Sequence, residues 1–338
     1  MRKTISFLVV GVSLVIMSGL SSGLGLLTSL TKTSAQSLGP LQIFAGHSDS
    51  INSVAFSPDG KMVLTGSADS TALLWDLKGK VLVKFASTDP VMSVAFSHDG
   101  KWVLTGTATG VVQLWGIDGT SQNQFKTGSS AASVAFSPDD KTVATGGSDG
   151  IARLWDVTTG KKIHEFSAQK GRINSVAFSV KGDYVLTGGD DSVAILWDVT
   201  TGKEINAFNV QKGGINSVAF SPDDKTVATA GSNGLAQLWD ESSGKELHHF
   251  SAQKGGINSV AFSANGHYVL TGEDDGVAIL WDAQSGSELN LFSGHKDRIL
   301  SVAWSPVPKD STLFDSVYVV TGSVDKTAFL WDSGINQK

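Results

Sequence analysis

The chain has 338 residues, with 26 basic against 32 acidic side chains, 41% apolar residues, 38 Gly, 7 Pro and no Cys. Lack of Cys excludes disulfides, cysteine-ligated metal and acylation at a cysteine, and the net charge of −6 is opposite in sign to the footprint a nucleic-acid partner needs. Many Gly and few Pro, beside many Val, Thr and Phe, predict numerous short strands joined by tight turns.

At the front, Arg2 and Lys3 precede an uncharged run from Ile5 to Leu27, with the small residues Thr33 and Ala35 behind it. This is the plan of a secretory signal, and the run is also long enough for an uncleaved membrane anchor. Residues 1–35 are read as one or the other, and either exports the remainder to a periplasmic or extracellular location. The remainder carries 23 basic and 32 acidic residues, which argues against a polybasic lipid-binding surface.

Beyond the leader, Ser-Val-Ala-Phe-Ser recurs from Ser53, Ser93, Ser133, Ser175, Ser217 and Ser259, and Ser-Val-Ala-Trp-Ser starts at Ser301. A second series places Leu-Trp at Trp75, Trp115, Trp155, Trp197, Trp239, Trp281 and Trp331, each followed by Asp except at Gly116. In the first unit, Ile51 to Ser57, Met62 to Gly66, Ala72 to Asp76 and Val81 to Phe85 read as four strands. Pro58-Asp59-Gly60, Ala68-Asp69-Ser70 and Lys78-Gly79-Lys80 supply the turns between them. Such a blade is apolar on both faces, so it needs neighbours on either side and is most stable in a closed ring.

Seven units in phase resemble the WD-repeat family of β-propellers, in the style of a bacterial exported member, and the resemblance covers residues 41 to 332. It implies an all-β, seven-bladed propeller of four-stranded antiparallel blades. Residues 36–338 form the propeller, with repeats near 45–85, 86–125, 126–166, 167–208, 209–250, 251–292 and 293–332. Phe85, Phe125, Phe166, Phe208, Phe250 and Phe292 each end a fourth strand, but too little chain follows Trp331 for a seventh. Leu41-Gln42-Ile43-Phe44 stands unclaimed and fits that vacancy, so Leu41 and Phe44 are expected to close the ring.

The resemblance further implies a hydrogen-bond relay of Trp, Thr, His and Asp within a blade. Blade one supplies His47, Thr65, Asp69 and Trp75, and blade seven His295, Thr321, Asp325 and Trp331. Blade three offers Thr145, Asp149 and Trp155, blade four Thr187, Asp191 and Trp197, and blade six Thr271, Asp275 and Trp281. Gln169, Gln211 and Gln253 stand where His is expected, only Ser87 or Thr127 is available in blades two and three, and Thr109 and Asn233 replace Asp. Relays are therefore expected to be best formed in blades one and seven.

Thr, His and Asp together imitate a nucleophilic triad, but a hydroxyl engaged by a buried indole has no substrate cleft. Gly146-Gly147-Ser148-Asp149-Gly150 spells G-x-S-x-G in a strand-turn-strand context, whereas the nucleophile elbow requires strand-turn-helix. His248 and His249 are adjacent on a strand and point to opposite faces, so they do not converge on one ion. The acidic turns show no dedicated calcium-loop pattern. No catalytic residue, metal or cofactor is expected.

In this family the turns entering each blade and those joining its second and third strands share one rim, the usual partner platform. Lys170, Arg172, Lys212, Lys254, Lys296 and Arg298 lie in the entering turns of blades four to seven, and Asp190, Glu273 and Asp274 in the intervening ones. The expected function is non-catalytic binding of a protein or peptide partner at this mixed, polar rim, with an N-terminal membrane tether as one form of export. An exported lactonase-like propeller hydrolase with a central-channel site is the alternative. Blade seven also carries an insertion, Val307 to Ser316, whose Leu313-Phe314 suits either a partner hook or a cover for its own blade. Ser133 to Thr145 repeats as Ser217 to Thr229, a duplication that favours a surface built by repetition over a unique pocket.

Overall fold

The computed structural model describes residues 39–167, 169–210, 212–306 and 317–335. The leader at residues 1–35, Gln211 and the insertion with Leu313-Phe314 lie outside the described residues. Among those described, 28 strands form seven four-stranded antiparallel sheets, each a meander. Blade one is Ile51–Phe56, Met62–Ser67, Thr71–Asp76 and Val81–Ala86, within a residue of the sequence expectation at each boundary. Period-2 patterning is weak in the second and third strands because both their faces are covered by neighbouring blades.

The repeated Ser-Val-Ala motif has a mechanical role. The first strand of every blade carries a register shift just before its Ser. The Ser hydroxyl accepts the N–H of the Val in the next blade, from Ser53–Val94 (3.1 Å) through Ser259–Val302 (3.1 Å). Ser301 returns to Val54 at 3.0 Å, closing a cycle of seven such bonds. Each first strand also packs closely on the second strand of the preceding blade. A Cβ on Gly66 would stand 2.6 Å from Val94 Cγ1 and 2.8 Å from Val91 Cγ1, which accounts for the Thr-Gly pair that recurs in six blades. Blade five has Ala230 there instead, fully buried.

A second cycle joins the outer strands. Each fourth-strand Phe packs on the Trp of the following blade, with ring centroids 5.2 to 6.1 Å apart. Phe44 completes the series against Trp75 at 5.6 Å and is fully buried. Its strand, Gln42–Ala45, pairs antiparallel with the last strand, Phe44 opposite Ala328. Ring closure by the N-terminal strand is thus as expected for Phe44. Leu41 joins only through its backbone, its N–H donating to Leu330 O at 2.7 Å, while its side chain is 56% exposed.

A third tie was not anticipated. In blades three and five the turn glycine of Pro-Asp-Gly is replaced, giving Pro138-Asp139-Asp140 and Pro222-Asp223-Asp224. Asp140 and Asp224 keep the left-handed backbone, with φ of 59° at both, a conformation Asp tolerates better than most residues. Each carboxylate reaches the preceding blade. Asp140 accepts the His98 and Asp99 N–H groups (2.7 and 2.9 Å), and Asp224 those of Val180 and Lys181 (2.6 and 3.0 Å). Asp224→Ala should cost about 1 to 2 kcal/mol, since two charge-assisted bonds vanish and the strain stays. Chemical denaturation checks this; Asp224→Gly, which relieves the strain, should cost less.

Candidate functional site

Every blade carries the first half of the relay. The indole N–H donates to the Thr hydroxyl in all seven, from Trp75–Thr65 (2.8 Å) to Trp155–Thr145 (3.0 Å) and Trp331–Thr321 (2.9 Å). Among the described residues the second half is complete only in blades one and seven. There His47 bridges Thr65 (2.7 Å) and Asp69 (2.9 Å), and His295 bridges Thr321 (2.8 Å) and Asp325 (2.8 Å). Burial depresses the pKa of both His residues against the opposing pull of their carboxylates, so each ring is neutral. Nδ1–H then donates to the carboxylate and Nε2 accepts the Thr proton. Burial pushes the Asp69 carboxyl up, but bonds from Thr71, the Ser48 N–H and His47 outweigh it and hold the group at about 2.

The other blades depart from the expected relay. Gln169 is buried, yet its amide donates to Asp191 (3.4 Å) and Val193 O (2.9 Å) rather than meeting Thr187. Asp149 is taken by Arg153, whose guanidinium lies 2.7 Å away and also meets Glu165. Thr127 turns to the Gly110 carbonyl and Ser87 to the Asp89 N–H, so neither meets its blade's Thr. Asn233 accepts the Leu235 N–H.

Blade six departs furthest. Sequence reasoning placed Glu273 on the exposed rim, but it ends the second strand and is completely buried. Its carboxylate accepts the Gln253 N–H (3.1 Å) and meets the Thr271 hydroxyl (3.4 Å). Gln253, expected to bridge Thr271 and Asp275, is exposed instead. Asp275 accepts only the Val277 N–H. Burial, with Asp275 and Glu288 adding like charge and the two hydrogen bonds opposing, raises the Glu273 carboxyl to about 7. A signal existed in the repeat: the other blades place Ser67, Thr107, Gly147, Gly189, Gly231 and Ser323 at this position.

The Thr hydroxyls of these relays are buried under their indoles, so the triad lookalike has no face toward a substrate. Among the described residues no three His, Asp or Glu side chains converge in a way that would hold a metal ion, and no helix is long and apolar enough to cross a membrane. His248 and His249 border different grooves on opposite sides of their strand.

What the relays do is hold the entering turns. Asp69, Asp191 and Asp325 each accept a backbone N–H from the turn above, of Ser48 (2.9 Å), Lys170 (2.8 Å) and Lys296 (2.9 Å). Asp274 does likewise for Gly256 (2.7 Å) and also receives Asn258 (2.9 Å), as Asp190 receives Asn174 (2.7 Å). The turns bearing Lys170, Lys254 and Lys296 are therefore pinned to their blades, by way of the Gly256 and Gln253 amides in blade six, while the ammonium groups extend into solvent.

The chain matches the family described as "WD domain, G-beta repeat" seven times, over residues 38–76, 79–116, 119–156, 160–198, 202–240, 244–282 and 286–332. It belongs to the WD40 repeat family. The matched segments are in phase with the seven blades. Curated relatives share single stretches with this WD40 propeller. One is the Notchless protein homolog of Arabidopsis thaliana, 53% identical over 36 residues, or 11% of this chain and 8% of the relative. Another is the small ribosomal subunit protein RACK1y of Oryza sativa subsp. japonica, 52% identical over 40 residues, 12% of each chain. Both matches span about a repeat's length and cover only a small share of the relatives.

Proposed function

We propose that this WD40 propeller is a non-catalytic scaffold that binds a protein or peptide at the rim formed by the entering turns of blades four to seven, and that it works exported or membrane-tethered. The rim reading rests on a lysine that recurs at the same entering-turn position of blades four to seven, exposed and without an ion pair among the described residues. Lys170, Lys212, Lys254, Lys296 and Arg298 are exposed and, with Arg172, form no ion pair among the described residues. On the opposite rim Lys61, Lys101, Lys141 and Lys225 each stand within 4 Å of an Asp in their own turn, at 3.7, 2.8, 3.5 and 3.9 Å, while Lys78, Lys80, Lys161, Lys181, Lys203 and Lys245 form no ion pair among the described residues. What sets the arc apart is its lysine at one turn position of four successive blades. A rigid turn presenting an unmatched charge loses little entropy on binding, which favours recognition. Export is supported by the uncharged run from Ile5 to Leu27 behind two basic residues.

Cell fractionation followed by crosslinking capture with the full chain tests both parts. Lys254→Glu combined with Arg298→Glu should weaken capture several-fold with an unchanged melt. Undiminished capture would remove this rim, and recovery in the cytosolic fraction would remove export.

A further inference from the structure

The rim is less mixed than its sequence suggests, because Glu273 is withdrawn into the core. The remaining carboxylates are all engaged by their own loops. Asp190 receives Asn174, Asp191 the Lys170 N–H, Asp274 the Gly256 N–H and Asn258, Asp275 the Val277 N–H, Asp297 the Arg298 N–H, and Asp325 the Lys296 N–H and His295. These six groups stand against seven cations in the same turns, the six of the entering turns and Lys326. They do not meet the cations' donors: among the described residues only Lys326 has an acceptor, Ser48 O at 2.9 Å, and Arg172 Nε is shielded from water as well. Beside Lys212 the surface falls into a groove of about 500 Å³ lined by Asn233, Leu235, Gln237, Glu246 and His249, which gives an occupant a concave seat.

We infer that the partner at this rim is an extended acidic peptide, whose spaced carboxylates accept from Lys170, Lys212, Lys254 and Lys296 in turn. This rests on the rim reading of the previous subsection and names its chemistry. One lysine stands at the equivalent turn position of four successive blades. Packed sheets lie about 10 Å apart, and a chain in the extended polyproline II conformation shows every third side chain on one face at about 9 Å spacing, so an acidic residue at every third position meets successive lysines. The carboxylates interspersed among the cations set this surface apart from a polyanion binder. A nucleic acid carries a phosphate at every step and would meet Asp190, Asp275 and Asp297 as often as the lysines, whereas spaced carboxylates avoid them.

The test uses the full chain and a labelled 12-residue peptide with Glu at every third position, followed by fluorescence anisotropy. Controls are the same peptide with Lys for Glu and a single-stranded oligonucleotide as competitor. The acidic peptide should bind and the lysine peptide should not. Lys170→Glu, Lys212→Glu, Lys254→Glu and Lys296→Glu together should weaken binding about ten- to hundredfold, the combined effect of four exposed ion pairs. The four Lys→Gln changes, which add no repulsion and guard against misfolding, should weaken it less. Reversing Lys61, Lys101, Lys141 and Lys225 should change nothing. Equal binding of the lysine peptide, indifference to arc reversal, or competition by the oligonucleotide as strong as by the peptide would overturn the inference. If the acidic peptide fails while a crosslinked partner still maps to the arc, the rim reading stands and its acidic chemistry falls; loss of both removes both.

Discussion

Deleting Leu41 to Phe44 from the full chain is expected to lower the melting midpoint of the ring further than any single substitution. The segment does three things at once. It supplies the fourth strand of blade seven, covering the edge of Thr327–Asp332 that would otherwise carry unpaired backbone groups. It places Phe44 against Trp75, completing the Phe–Trp cycle. It also joins residues nearly a full chain apart, closing the ring through the outer strands as the Ser301–Val54 bond closes it through the inner ones.

Phe44→Ala isolates the second effect and should cost about 3 to 5 kcal/mol, the usual range for emptying a buried aromatic site. Leu41→Ala should be nearly silent, since that side chain faces solvent. Differential scanning calorimetry of the three variants separates the contributions. A deletion that melts like the parent would mean that the inner strands alone hold the circle.

Glu273→Gln is expected to stabilise the protein in a pH-dependent way, opposite in sign to the behaviour of most carboxylates. The folded-state pKa is raised to about 7 by burial, above the ordinary value of 4.5. Below about pH 4.5 the group is protonated in both states and costs nothing. As pH rises toward 7 the unfolded chain ionises freely while the folded one must bear a buried charge, so stability falls and the penalty is complete above 7. The shift corresponds to about 2 to 3 kcal/mol after discounting for partial solvation. An isosteric amide keeps the acceptor for the Gln253 N–H without the charge. Urea unfolding of parent and variant should therefore coincide near pH 4.5 and separate by that amount at pH 8. A gap of the same size at both pH values would show that the charge on Glu273 is not its source. Depressed carboxyls such as Asp69 act in the reverse direction, but they are common to both proteins and cancel in the comparison.

Much of this molecule follows from sequence because its information is repeated. Ser-Val-Ala and Leu-Trp set strand, turn and blade count, and the missing seventh Phe revealed Phe44 as its replacement. Thr with Trp in each unit likewise foretold the constant half of the relay. These features rest on nearest-neighbour packing, which is nearly the same in every blade, so one unit predicts the next.

What tertiary structure alone decided is the use of residues that break the repeat. Gln169 and Gln253 occupy the same place in the sequence unit, yet one is buried against Asp191 and the other is turned outward, because Glu273 fills the space beside Thr271 where blade four has Gly189. Arg153 likewise claims Asp149, and Asp140 and Asp224 reach across to another blade. Such outcomes depend on which side chain wins a shared volume and which donor finds a carboxylate first. That competition is settled by three-dimensional neighbours from different strands and blades, and no single repeat contains all of its competitors.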